Sequence, residues 1–100
     1  MLDELWNLVM SYDDGLIVQI RLQSFFDEEK FKKIVEILKR IVSKLKNTEY
    51  VPRKLLLVVT ELLQHTVGGN NYMNESELIK LEDAGLEIID IISSLYHDND

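Results

Sequence analysis

The chain has 100 residues, of which 46% are hydrophobic, and 18 acidic residues against 11 basic ones give it a net charge of −7 at pH 7. This length and apolar content predict a single folded domain over residues 1–100, with a core that needs neither disulfides nor metal. The chain contains no cysteine, which excludes disulfides, thiolate metal sites and cysteine nucleophiles.

Charge is distributed unevenly along the chain. Residues 1–29 hold seven acids against one base (net −6), residues 30–54 nine bases against two acids (net +7), and residues 55–100 nine acids against one base (net −8). In one interpretation the basic segment packs beside the acidic last part, with solvated polar faces. In another, the acids form a surface for a basic protein partner. A basic patch for nucleic acid is disfavoured, because the overall acidity repels phosphates.

The first apolar segments are separated by Asp14-Gly15, a strong signal for a β-hairpin turn. Residues 2–12 show both helical and alternating spacing of apolar side chains. After the turn, every second residue is apolar: Leu16, Val18, Ile20 and Leu22. A period of two is typical of a strand. We therefore predict an N-terminal β-hairpin that pairs residues 4–11 with 16–23. The alternative is a first helix followed by a second short helix or by an intermolecular strand.

Three longer segments predict helices. Residues 28–46 repeat apolar side chains at spacings of three and four, and Asp27 precedes them as an N-cap. Residues 52–67 are apolar on nearly every side, which predicts a central helix covered by protein. A third helix begins after Asn74, which forms a capping-box pattern with Glu77.

The predicted fold is therefore mainly α, of the α+β type: an N-terminal β-hairpin followed by three helices, with the second of these buried at the centre. The alternative is an all-α four-helix bundle.

The last predicted helix carries two apolar stripes. The first comprises Leu78, Leu81, Gly85, Ile88, Ile92 and Leu95, and the second Ile79, Leu86, Ile89 and Tyr96. Two stripes predict that this helix contacts two neighbours, or that one stripe is a homodimer interface. A glycine within a helix costs ~1 kcal/mol relative to alanine, so we expect another helix to approach Gly85 closely.

Few residues suggest chemistry. Glu61 and His65 lie four apart and could be imagined as metal ligands of a small enzyme. However, di-metal bundles use further carboxylates on facing helices, and the zinc helix pattern needs two histidines. We therefore predict a structural role for the pair, and no catalytic residue, cofactor or metal.

Partner binding has a small set of candidate residues. Glu82, Asp83, Glu87 and Asp90 lie on the outside of the last predicted helix, and Tyr72 lies in the preceding polar loop. The alternatives are a merely solvated face for the acids and a core position for Tyr72.

The N-terminal sequence MLDELWNL has acids where a signal peptide needs bases, and no apolar segment is long enough to span a bilayer. We therefore expect a cytoplasmic protein without a membrane span.

A family resemblance rests on the later part of the chain. Residues 33–66 read KIVEILKRIVSKLKNTEYVPRKLLLVVTELLQHT, and after a polar loop residues 74–92 read NESELIKLEDAGLEIIDII. In length, in acid-rich helical make-up and in the Lys44-Leu45-Lys46…Tyr50 connection before an apolar helix, the chain resembles the helical-bundle immunity proteins of bacteriocin-producing bacteria. The similarity covers about residues 31–92.

This resemblance implies a cytoplasmic bacterial protein that protects its own cell by binding a toxin, or the target of the toxin, without catalysis. The predicted function is a non-enzymatic, immunity-type or antitoxin-type interaction protein whose acidic surfaces bind a basic partner. The alternative is a homo-oligomeric structural module without a ligand, and a small metal enzyme is the third possibility.

Overall fold

The computed structural model describes residues 1–23, 25–67 and 74–95, which form five α-helices and contain no β-strand. The helices are α1 (Leu2–Met10), α2 (Leu16–Gln23), α3 (Glu28–Leu45), α4 (Arg53–Thr66) and α5 (Glu75–Ser93). The predicted N-terminal β-hairpin is therefore wrong. The all-α alternative is correct in class, although the described residues form five helices instead of four.

The segment predicted as the second strand is helix α2. Its buried side chains are those of Leu16, Ile17 and Ile20. Neighbouring residues of a strand point to opposite faces, whereas positions one and four apart can share the buried side of a helix. The alternating pattern predicts that Leu22 is buried on the same face as Leu16, but Leu22 is 76% exposed.

Gly15 lies in the turn between α1 and α2. A Cβ atom at this position would lie 2.6 Å from both the backbone N and O of Ser11, and 2.8 Å from the carbonyl oxygen of Val9. The N–H of Gly15 donates to the Ser11 carbonyl, and the Gly15 carbonyl accepts from the N–H of Gln19. Glycine thus allows α2 to begin directly against the end of α1, so the Asp-Gly pair serves a turn between helices.

The helices pack around one shared core. Helix α1 contacts α2, α3 and α4, while α5 contacts α3 and α4, and α2 also contacts α4. Almost fully buried side chains come from every helix: Leu5, Val9, Leu16, Ile20, Ile34, Leu38, Leu55, Leu62, Leu81 and Ile88. Burial of this apolar surface is the main force that holds the helices together.

Side-chain caps fix the starts of the two longest helices. The Asp27 carboxylate accepts a hydrogen bond from the N–H of Lys30 at 3.0 Å, and the Asn74 side chain accepts one from the N–H of Glu77 at 2.8 Å. Each cap satisfies an N–H that has no partner within the helix. Both predicted helix starts are confirmed, and α3 ends one residue before its predicted end.

Helix α4 has one buried side. Its buried residues are Leu55, Val58, Leu62 and Thr66. On other sides, Leu56 is 56% exposed and Leu57 is 50% exposed. The prediction of a central helix covered on nearly every side is therefore wrong, although α4 does contact α1, α2 and α5.

Gly85 brings α5 close to the end of α4. A Cβ atom on Gly85 would lie 2.5 Å from Cγ2 of Val67 and 2.9 Å from Oγ1 of Thr66. Thr66 is fully buried, and its hydroxyl donates to the Leu62 carbonyl at 2.7 Å. The predicted close approach of a second helix to Gly85 is confirmed.

Candidate interaction surface

Five exposed apolar side chains lie along the outer sides of α4 and α5, and we call this surface the α4–α5 face. Its residues are Leu56, Val67, Ile79, Leu86 and Ile89, and each is between 41% and 63% exposed. Single exposed apolar residues are ordinary, whereas a contiguous group is typical of an interaction site.

Helical spacing places these residues on one side of each helix. On α4 and its C-cap, Leu56, the half-buried Leu63 and Val67 are separated by seven and four residues. On α5, Ile79, Leu86 and Ile89 are separated by seven and three. Since positions three, four or seven apart share a helix face, each helix presents one apolar stripe.

Two clefts join the stripes. Val67, Leu86 and Glu82 line a cleft of about 290 Å³ at one end of the face. Near the other end, a smaller cleft of about 60 Å³ lies between the start of α4 and the last turns of α5. It is lined by Val51, Leu55, Leu56, Val59, Ile92 and Leu95. The apolar surface is therefore shared by the two helices along its length.

The two ends of the face carry opposite charges. Arg53 is exposed at the start of α4, and Glu75 and Glu82 are exposed in the first half of α5. Within the described part of the chain, none of these three side chains forms an ion pair. The neighbouring Lys54, by contrast, forms an ion pair with Asp3 of α1, in which Nζ lies 3.4 Å from Oδ1.

The structure separates the four acids that the sequence predicts as partner-binding residues. All four are exposed on α5, but only Glu82 lies beside the α4–α5 face. Asp83, Glu87 and Asp90 line clefts next to α3 instead. The fifth predicted residue, Tyr72, lies outside the described residues, together with the rest of its loop (residues 68–73). Tyr96, the last residue of the second apolar stripe of α5, also lies outside them.

The three acids beside α3 lie next to its lysines. Asp83 and Glu87 share a cleft of about 240 Å³ with Lys32, and Asp90 shares one of about 300 Å³ with Lys39. This arrangement matches the interpretation in which the basic segment packs beside the acidic last part of the chain. Exposed charges of opposite sign at such positions attract weakly and are screened by salt.

Lys80 connects the start of α5 to the start of α3. Its Nζ lies 3.1 Å from Oε1 of Glu28 and 3.6 Å from Oε1 of Glu77. The hydrogen bond to Glu28, followed by the negative charges of Glu28 and Glu77, raises the pKa of Lys80 above its usual value. The ammonium group therefore stays charged throughout the neutral range.

Glu61 and His65 are neighbours on α4. His65 Nε2 lies 3.4 Å from Oε2 of Glu61, and both side chains are partly exposed. No group of three or more metal-ligating side chains comes together among the residues that the structure describes. The pair is therefore an intrahelical contact at i,i+4, which becomes an ion pair when the imidazole is protonated.

Comparison of the chain with protein-family models, curated proteins and solved structures finds no match. The similarity to immunity proteins therefore stays a prediction from the sequence pattern. None of the helices in the described ranges is both long enough and apolar enough to cross a membrane.

Sequence reasoning found half of the α4–α5 face. The stripe of Ile79, Leu86 and Ile89 is visible as a second apolar spacing on α5, and a homodimer interface is one of its predicted roles. Leu56 and Arg53 were missed, because α4 was predicted to be buried on nearly every side. A usable signal was the narrow polar strip of α4, formed by Thr60, Glu61, Gln64 and His65, which indicates that one side of this helix meets water.

Proposed function

We propose that this protein is a non-enzymatic, homo-oligomeric helical module that associates with a second copy of itself through the α4–α5 face. The observation that carries this proposal is the exposure of Leu56, Val67, Ile79, Leu86 and Ile89 on the neighbouring helices α4 and α5. Water contact with such a surface is unfavourable, and its burial against a like surface would stabilise an oligomer.

The size of the face supports this function. Its five apolar side chains expose on the order of 500 Å², a size at which the largest apolar patch of a protein is often functional. An apolar centre with a charged rim is also the usual anatomy of a protein interface.

The immunity-type function is supported less by the geometry. Asp83, Glu87 and Asp90 lie in clefts that also hold Lys32 and Lys39 of α3, and the positive charge there weakens the attraction of this surface for a basic partner. Glu82 remains available at the α4–α5 face, where the surroundings are mainly apolar.

The test compares two leucine substitutions of identical chemistry. Leu86→Glu places a carboxylate in the α4–α5 face, whereas Leu22→Glu places one at an exposed leucine on α2, outside the face. Light scattering over a range of concentrations should give an oligomer for the wild type and for Leu22→Glu, but a monomer for Leu86→Glu. Circular dichroism should show that both variants keep their helices. A wild type that stays monomeric at its highest soluble concentration would refute the proposal.

A further inference from the structure

We propose that two copies pack antiparallel across a two-fold axis near Thr60 and Ile89, so that Arg53 of each copy lies against Glu82 of the other. This inference rests on the proposed self-association and specifies its geometry. It makes Arg53 and Glu82 the residues that determine the orientation of the pair.

The first step is the separation of the charged ends. Arg53 is the first residue of α4, and Val67 follows 14 positions later at its C-cap. At 1.5 Å per residue these positions are ~20 Å apart along the helix axis. Glu82 lines the same cleft as Val67, so Arg53 and Glu82 lie beside opposite ends of α4.

The second step is the position of the midpoint. Thr60 lies seven residues after Arg53 and seven before Val67, and Ile89 lies seven residues after Glu82 on the neighbouring helix. Helices α4 and α5 run antiparallel, because Gly85 meets the end of α4 while Ile92 and Leu95 line a cleft with its beginning. Thr60 and Ile89 therefore lie near the same level, halfway along the face.

The third step is the choice between the two symmetric arrangements. A two-fold axis perpendicular to the helices at the midpoint exchanges the two ends of the face, so the basic end of each copy meets the acidic end of the other. A two-fold axis parallel to the helices places like ends together, with Arg53 against Arg53 and Glu82 against Glu82. Like charges held close together disfavour that parallel arrangement.

The apolar and charged parts of the face therefore have separate roles. Burial of the apolar side chains stabilises either arrangement by a similar amount, because it does not depend on direction. Complementary charges at the rim select register and orientation more than they add affinity. The exposed Glu75, two helical turns before Glu82, increases the negative charge at the acidic end.

Single cysteines provide the test, since the chain has none of its own. Ile89→Cys lies near the proposed axis and should form a disulfide with its own copy under mild oxidation. Leu56→Cys and Leu86→Cys lie about one helical turn from the proposed axis on opposite sides of it, so each alone should crosslink less than Ile89→Cys. An equal mixture of these two variants should give the crosslinked dimer. Both variants retain Arg53 and Glu82, so the charges proposed to determine the orientation are unchanged in the experiment.

A charge exchange provides an independent measurement. Arg53→Glu should raise the dissociation constant of the oligomer by roughly tenfold, because two exposed attractive pairs become repulsive. The double variant Arg53→Glu with Glu82→Arg should restore the wild-type constant. Lys33→Glu on α3 changes the net charge equally at an exposed site away from the face, and it should have little effect.

The outcomes separate the inference from the proposed function. Self-crosslinking of Leu56→Cys and of Leu86→Cys as complete as that of Ile89→Cys, with no gain in their mixture, would mean a parallel arrangement, which overturns this inference and leaves the self-association intact. No crosslinking at any position in a monomeric sample would overturn both. Failure of Glu82→Arg to rescue Arg53→Glu would show that these residues do not meet.

Discussion

Gly85 shows how a single missing methyl group sets the distance between two helices. Replacement by alanine would improve helix propensity by ~1 kcal/mol, but the new Cβ would lie 2.5 Å from Cγ2 of Val67 and 2.9 Å from Oγ1 of Thr66. Thr66 is fully buried and is held by its hydrogen bond to Leu62. Because overpacking costs about 1–3 kcal/mol, we expect Gly85→Ala to lower the free energy of unfolding in urea titrations.

The control for this prediction removes the nearer of the two contacts. Val67→Ala eliminates Cγ2 at a position that is largely exposed, so the single variant should cost little. The double variant with Gly85→Ala should recover part of the lost stability. If Gly85→Ala alone is as stable as the wild type, α5 can move away from α4 freely, and the glycine is not required for packing.

The two glycines show what the sequence can predict at the residue scale. A close approach at Gly85 was predictable, because a glycine inside a strong helical pattern needs a packing reason. At Gly15 a turn was predictable, but the elements on either side were not. Asp-Gly marks a change of chain direction, whereas the choice between helix and strand for Leu16 and Ile17 depends on which neighbours bury them.

At the scale of elements, the two sides of α4 should respond very differently to substitution. Leu62 is fully buried among α4's neighbours, while Leu57 is half-exposed and lies three or four positions from Arg53, Lys54 and Glu61. We expect Leu62→Ala to cost about 2–5 kcal/mol, because it leaves a cavity in the core. Leu57→Ala should change stability by no more than about 0.5 kcal/mol.

Urea unfolding of both variants, followed by circular dichroism, measures this contrast directly. The pair is matched, since the same atoms are removed from the same helix. A large loss of stability for Leu57→Ala would mean that this side of α4 is covered in solution, and the one-sided burial described for the helix would then be wrong.

Elements with one strong pattern were predictable, and elements with two competing patterns were not. Helix α3 has an apolar stripe, a basic opposite side and a capping Asp27 that agree, so its start was correct. In α4, apolar residues on nearly every side predicted burial within the chain. An apolar sequence does not specify which of its side chains the rest of the chain covers, and for that reason the α4 half of the α4–α5 face escaped prediction.

At the scale of the whole molecule, the uneven charge along the sequence becomes an arrangement in space. The basic helix α3 lies beside the acids Asp83, Glu87 and Asp90 of α5. Charges of opposite sign thus lie side by side on α3 and α5, and the apolar outer side of α4 and α5 is the more distinctive surface. Composition alone could not indicate this, because it does not specify which helices are neighbours.

The packing of α1 predicts that the N-terminal helix unfolds together with the rest of the chain. Trp6 is the only tryptophan, and Lys54 of α4 lies 5.6 Å from the centre of its ring, so its fluorescence reports the α1–α4 contact. A nine-residue helix is not stable alone in water, and α1 contributes the fully buried Leu5 and Val9 to the core. In urea, Trp6 fluorescence and far-UV circular dichroism should therefore give coincident transitions.

Lys54→Met should alter the native fluorescence without separating the two unfolding curves. An earlier fluorescence transition in the wild type would instead show that α1 detaches first.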